Sequence, residues 1–318
     1  MSGTSNRRFS DVARSLMKAF TQRRPLRGGS LITTVFGDSI AARRCEVSLS
    51  GLIKLMQPFG LTERLVRTSV GRLAQDNWVT ANRVGRLSFY RLSNAGEIRF
   101  AEATRRIYAA PTQDWRGSWT TLIVPSAANR ESRERIKDAL QWSGFGQLTS
   151  GAHIHPEIGA AAAAELIARC DANIAPVILQ SRSDDQNGDR RMVELGWDLD
   201  DLERRYTKFI AAFVPALEAL TENQHAEAKH CFHVRTLLIH EYRKVHLLDP
   251  LLPPSLLPQD WAGSAAYQLC RRLYLKIADA SDQYVQGVLS TRSGSLPAPA
   301  PDTRMRFATD PAPRIPRT

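Results

Sequence analysis

The sequence predicts an α+β protein in three folded parts: an N-terminal winged helix-turn-helix, a central ferredoxin-like domain and a helical C-terminal domain. Three observations carry this expectation. Residues 28–95 alternate three short helical patterns with a hairpin pattern. Residues 119–180 alternate short apolar strands with helices, and from Asp198 onward apolar residues recur at helical spacing. The expected boundaries are a basic disordered tail at 1–27, the winged helix with a linker helix at 28–112, the ferredoxin-like domain at 113–196, the helical domain at 197–291 and a Pro-rich disordered tail at 292–318. A chain of 318 residues is longer than one hydrophobic core normally fills, which fits this division.

In the first part, Leu31, Ile32, Val35, Phe36 and Ile40 form the apolar face of a first helix. Ser48 or Ser50 caps a second that contains Leu52, Ile53 and Met56, and Pro58 with Gly60 breaks the chain after it. Thr62 is the expected N-cap of a third helix, with Glu63 at the positive end of its dipole. Along that helix Leu65, Val66, Val70 and Leu73 face inward, while Arg64, Arg67, Thr68, Gly71 and Arg72 share the opposite side. A hairpin follows, with Arg83 and Arg86 on either side of the Val84-Gly85 tip.

Charge points the same way. Residues 1–116 hold 20 Lys and Arg against 8 Asp and Glu, whereas residues 117–318 hold 23 against 24, so the whole excess lies in the first third. A basic excess confined to one domain suits a phosphate backbone, because each neutralised phosphate releases condensed counterions. The candidate DNA contacts are Thr62, Arg64, Arg67, Thr68 and Arg72 on the third helix, where an Arg fork can grip two acceptors on guanine, and Arg83 and Arg86 on the wing. A solvated helix face is the plain explanation of any one arginine. The capped basic helix, the Pro-Gly break and the basic hairpin occurring together favour double-stranded DNA as partner.

In the central part, Trp119–Val124, Gly146–His155 and Ala175–Gln180 are expected strands separated by helices at Arg130–Trp142 and Pro156–Cys170, and no fourth strand is evident. In the C-terminal part, Leu199, Leu202, Tyr206, Phe209, Phe213 and Leu217 stripe one helix, and two more helices span about 226–247 and 262–289. No apolar run approaches 18 residues and no signal-peptide core is present, so the expectation is a soluble cytoplasmic protein without a membrane partner. Cys45, Cys170, Cys231 and Cys270 form no C-x-x-C pair, which argues against a zinc module or a disulfide scaffold.

Several stretches taken together resemble the PaaX family of bacterial repressors that control phenylacetate degradation operons. They are SLITTVFGDS at 30–39, PFGLTERLVRTSVGRLAQDNWV at 58–79, RVGRLSFYRLSNAG at 83–96, ATRRIYAAP at 103–111 and LLIHEYRKVHLLDPLLPPSLLPQDWAG at 237–263. The resemblance spans about residues 30–290. It implies a homodimeric repressor whose recognition helix is Thr62–Gln75, whose central region is similar to a CRISPR-associated nuclease domain, and whose effector, phenylacetyl-coenzyme A or a related aryl-CoA thioester, releases the operator.

A coenzyme A pocket needs cations for its phosphates and an apolar slot for its acyl group. Arg235, His240, Tyr242, Arg243 and Lys244, beside a Leu-rich turn, are the expected effector contacts, in a domain that would also dimerise. His233 and His240 share a helix face, but no convincing ligand spacing surrounds them, so no metal is expected. No cofactor is expected beyond the effector. No catalytic residues are expected either: there is no P-loop or nucleophile elbow, and the first central strand runs into Pro125, Ser126 and Ala127 where a nuclease would carry an Asp. The alternative reading is a nucleic-acid-binding protein with a nuclease-like central domain acting on RNA.

Overall fold

The computed structural model describes residues 8–26, 28–110, 115–125, 130–222, 226–301, 303, 306 and 307. They form mixed helix and sheet in two compact units. One comprises the chain up to Ala110, Lys208–Lys244 and the chain from Ala265 onward; the other comprises Pro111–Thr207 and Val245–Ser264.

The first unit opens with α1 (Phe9–Thr21), which buries Phe9, Val12, Ala13 and Phe20. This corrects the disordered tail expected at 1–27. The composition is basic, but these apolar residues fall on one helix face and dock it. Residues 1–7 and 27 of that expectation lie outside the described residues. Next, α2 (Gly28–Val35) runs on through a π-helical turn at Phe36–Ile40, burying the five apolar residues expected to face inward. After β1 (Val47–Ser48), the Ser48 hydroxyl accepts the Gly51 N–H at 3.2 Å and caps α3 (Leu49–Met56). A 3-10 turn at Gln57–Phe59 ends at Gly60, whose φ of +77° suits a residue without a Cβ.

There follow α4 (Glu63–Gln75), β2 (Val79–Val84), β3 (Leu87–Leu92) and α5 (Asn94–Tyr108). The three strands pair antiparallel in the order β1-β3-β2, with Val47 opposite Tyr90 and Val79 opposite Leu92. Ser93 ties the base of this hairpin: its hydroxyl accepts the Gly96 N–H at 2.9 Å and donates to the Asn77 carbonyl at 2.6 Å. Gly96 lies so close to the hairpin that a Cβ there would meet the Trp78 carbonyl oxygen at 2.0 Å.

The second unit holds β4 (Trp119–Ile123), α6 (Arg130–Trp142), β5 (Gly146–Thr149), β6 (Ala152–His155), α7 (Ala160–Cys170), β7 (Val177–Ser181) and α8 (Gln186–Gly196). Its four strands pair antiparallel in the order β5-β6-β4-β7. The single strand expected at Gly146–His155 is a hairpin. Gly151, at φ +87°, turns the chain and supplies the strand that the sequence did not reveal. Both sheet faces are covered, because alternate residues of β4 point opposite ways. Leu122 packs with Ile136, Leu140, Ala163 and Ile167, while Trp119 packs with Ile154, Val193 and Leu252. The helix α8 was not expected; Asp185 caps it at the Gly188 N–H, 2.7 Å away.

Three long helices complete the chain: α9 (Leu199–Glu222), α10 (Ala228–His246) and α11 (Ala262–Val288). The compact units divide the segment expected as one helical domain, 197–291, between them. Lys208–Lys244 pack with the N-terminal elements because α10 is buried all round from Cys231 to His240. Phe59 meets Phe232 and His233 edge-on, with ring centres 5.9 and 5.3 Å apart, and Phe20 meets His240 at 5.7 Å. The Pro-rich tail expected at 292–318 is likewise packed in part. A short hairpin, β8 (Ser290–Thr291) with β9 (Gly294–Ser295), leads to buried Leu296, Arg306 and Phe307. Residues 302, 304, 305 and 308–318 lie outside the described residues. No described helix is long and apolar enough to cross a membrane.

Candidate nucleic-acid interface

The start of α4 is fixed by Thr62, whose hydroxyl accepts the Leu65 N–H at 3.3 Å. Its end is fixed by a six-to-one turn. The Trp78 N–H donates to the Leu73 carbonyl at 2.8 Å and the Asn77 N–H to Ala74 at 3.2 Å, with Asn77 left-handed at φ +56°. Val66, Ser69 and Val70 are buried, and Leu65 and Leu73 are half-buried. Thr62, Arg64, Arg67, Thr68 and Arg72 are all exposed. At Gly71 an added Cβ would meet nothing within 4 Å, so this face is both cationic and low in profile.

Local contacts hold these side chains lightly. The Arg67 guanidinium meets the Glu63 carboxylate at 2.7 Å, with both side chains more than half exposed. Such a pair contributes about 0.3–0.5 kcal/mol, and a phosphate or a guanine edge can replace Glu63 at small cost. The Thr68 hydroxyl donates back to the Arg64 carbonyl at 2.9 Å. In the hairpin, every residue from Thr80 to Leu87 is exposed, Arg83 and Arg86 included, and Gly85 takes φ +59° at the tip. Arg99 braces the base, donating to the Asp76 carbonyl at 3.1 Å with its guanidinium 5.0 Å from the Trp78 ring centre. The seven residues predicted to contact DNA therefore occupy the outer face of one helix and one adjoining hairpin.

The predicted effector contacts are arranged differently: four of the five are taken up in contacts within the protein. Arg235 is buried and engaged: Nε lies 2.8 Å from Asp38 Oδ2 and Nη1 lies 3.0 Å from Asp282 Oδ1. Arg243 donates to the Ser30 carbonyl and hydroxyl and to the Thr34 hydroxyl, each at 2.8 Å. His240 Nδ1 sits 3.1 Å from the same Thr34 hydroxyl, and burial, with Arg243, Lys244 and Arg23 nearby, pushes its pKa down to about 3. Tyr242 is fully buried against Phe209. Only Lys244 of the five is exposed, 3.3 Å from Glu241. The physical reason is that a helix packed on all sides must satisfy its polar groups inside the protein. Among the described residues no group of three or more His, Cys, Asp or Glu side chains converges as a metal site.

Sequence reasoning missed the charged cluster to which Arg235 belongs. Asp38 accepts from Tyr108 at 2.6 Å and Tyr274 at 3.1 Å, and Arg306 donates to its carbonyl at 2.6 Å and to its carboxylate at 3.1 Å. Arg43 reaches Asp282 at 3.0 Å. The available signal was an Asp set within the apolar run Leu31–Ile40, where a carboxylate needs a buried partner.

Comparison with known proteins agrees with this architecture. Three family models match in succession: PaaX-like protein at residues 27–96, the PaaX protein central Cas2-like domain at 112–193 and the PaaX-like protein C-terminal domain at 197–287. The transcriptional repressor PaaX of Escherichia coli (strain K12) is 35% identical over 293 residues, covering 89% of this chain and 90% of that protein. Among solved structures, the uncharacterized protein Rv0674 from Mycobacterium tuberculosis shares the fold with a TM-score of 0.54 at 21% identity, over 79% of this chain and 97% of that one. On the three successive domain matches and this full-length identity, the chain belongs to the PaaX family.

Proposed function

We propose that this protein is a cytoplasmic transcriptional repressor, not an enzyme, of an aromatic-acid (phenylacetate-type) catabolic operon, and that an aryl-CoA thioester such as phenylacetyl-CoA releases it from its operator. In this reading α3 and α4 are the helix-turn-helix, β2 and β3 are the wing, and the β5-β6-β4-β7 sheet with its helices is a ferredoxin-like domain. The strand–helix–strand–strand–helix–strand order from β4 to β7 supports that last assignment. The observation that carries the proposal is the outer face of α4, where Arg64, Arg67 and Arg72 are exposed on either side of the open Gly71. A homodimer would place two such helices one or more DNA turns apart, on half-sites about 34 Å from centre to centre.

The test is a gel shift on a fragment of the promoter beside the chain's own gene, titrated with phenylacetyl-CoA and with coenzyme A alone. Retention that the thioester abolishes and coenzyme A leaves intact is the expected result. Failure to retain any duplex fragment would refute the repressor reading. Equal retention of structured RNA would favour the RNA-binding alternative.

A further inference from the structure

Among the described residues the cluster around Asp38 is unbalanced. Three guanidiniums, from Arg43, Arg235 and Arg306, share the two carboxylates of Asp38 and Asp282. The Arg306 side chain is only 6% exposed, yet among the described residues its Nε–H has no hydrogen-bond partner, although its two terminal nitrogens reach Asp38, Tyr274 and the Gly37 carbonyl. An orphaned donor on a buried cation is costly unless an acceptor arrives.

The same Arg306 lines a cavity of about 680 Å³. That volume lies within the ~300–1,000 Å³ usual for small-molecule sites. Arg44, Arg91 and Arg105 also line it, with Glu97 as the carboxylate among its lining residues. Phe100 and Leu92 give it an apolar wall. Arg91 and Leu92 end the inner strand of the basic hairpin, and Phe100 and Arg105 belong to α5, which Ser93 ties to the hairpin base.

We infer that this cavity is a regulatory ligand site for an organic anion with an apolar body. The oxyanion is met by Arg91 and Arg105, beside the buried Arg306, and the apolar body lies on Phe100 and Leu92. A ligand held there contacts the base of the hairpin and α5 at once, so its binding changes how the hairpin is presented. The regulatory half of this inference rests on the repressor reading above; the binding half does not.

The experiment is calorimetric titration of the full chain with phenylacetate, phenylacetyl-CoA, coenzyme A and inorganic phosphate, with promoter-fragment retention measured on the same samples. The four probes separate a carboxylate source of the anion from a phosphate source. Arg91→Gln and Arg105→Gln alter exposed side chains, and Ala101→Glu sets a negative charge on the cavity lining. At least one organic probe is expected to bind the wild-type chain, with affinity at least tenfold weaker in all three variants and unchanged in Arg169→Gln, which alters an exposed side chain of α7. Unaltered affinity in the three variants, or no binding of any probe to the wild type, overturns the site. Release of the promoter at the same ligand concentration in wild type and variants also overturns it while leaving the repressor reading intact. Binding that the variants weaken, in a protein that retains no promoter, overturns the regulatory half and the repressor reading together.

Discussion

Replacing Asp38 by Ala should be among the most damaging single changes in this protein. Burial by itself raises the Asp38 pKa, but Arg235, Arg306 and the Tyr108 hydroxyl outweigh it and hold the carboxyl below its usual range. The group is therefore ionised at neutral pH. Removing it strips Arg235 and Arg306 of a shared acceptor and leaves two hydroxyls, of Tyr108 and Tyr274, aimed at an empty site. Breaking a buried ion pair by deleting one partner costs about 3–5 kcal/mol. At ~1.4 kcal/mol per decade, the unfolded fraction rises about a thousandfold. The assay is urea unfolding followed by circular dichroism for wild type, Asp38→Ala, Arg235→Ala and the double variant, with Glu63→Gln as an exposed control. The double variant should be less destabilised than the sum of the singles, because each single change strands the other's charge. A destabilisation below about 1 kcal/mol for Asp38→Ala, or strict additivity, would show that this cluster does not hold the first unit together.

Three other outcomes follow from the same geometry. Arg86→Ala, at the exposed hairpin tip, should weaken binding to all duplex sequences and reduce the salt slope by ~0.9 for each phosphate that the hairpin no longer neutralises; an unchanged slope in a filter-binding series would place the hairpin away from the DNA. His240 and His233 are pushed down by burial to about 3 and about 4, so the folded chain binds fewer protons than the unfolded one below their usual value near 6.5. Their contribution is complete above that pH and declines as pH falls towards 4, by about 2 kcal/mol per histidine at pH 5; a melting temperature that is flat from pH 7 to 5 would contradict it. Gly96→Ala sets a methyl group 2.0 Å from the Trp78 carbonyl and should cost at least ~1–3 kcal/mol in the same unfolding assay, whereas Gly71→Ala, which meets nothing within 4 Å, should cost little.

What the sequence disclosed was local. Thr62 and Ser48 are caps whose hydroxyls act within three residues, Gly60 and Gly85 mark turns, and Val66 and Val70 keep helical spacing, so α3, α4 and the hairpin could be located without tertiary information. What it hid depended on distant partners. Asp38 and Arg306 are 268 residues apart, and nothing near either one announces the other. The polar residues of α10 look like a binding surface when the helix is considered alone. Only the packing of Phe20, Phe59 and Thr34 against it turns them into interior groups. A similar limit explains α1, where a net basic composition concealed a narrow apolar face, and the β5–β6 hairpin, where Gly151 turns a segment that has continuous strand character. The exposed arginines of α4 were legible because exposure is what an amphipathic pattern predicts for them.

The repressor reading stands or falls on whether the outer face of α4 reads base edges. A footprint of the wild type and of the Arg67→Ala/Arg72→Ala double variant, on the promoter fragment and on a scrambled duplex at one salt concentration, decides it. Each bidentate arginine contributes about 1–3 kcal/mol of base discrimination, so the variant should prefer the promoter tenfold less, or weaker still, while keeping its fold and its weak binding to the scrambled duplex. A variant that protects the same bases with undiminished preference would show that these arginines do not read the operator.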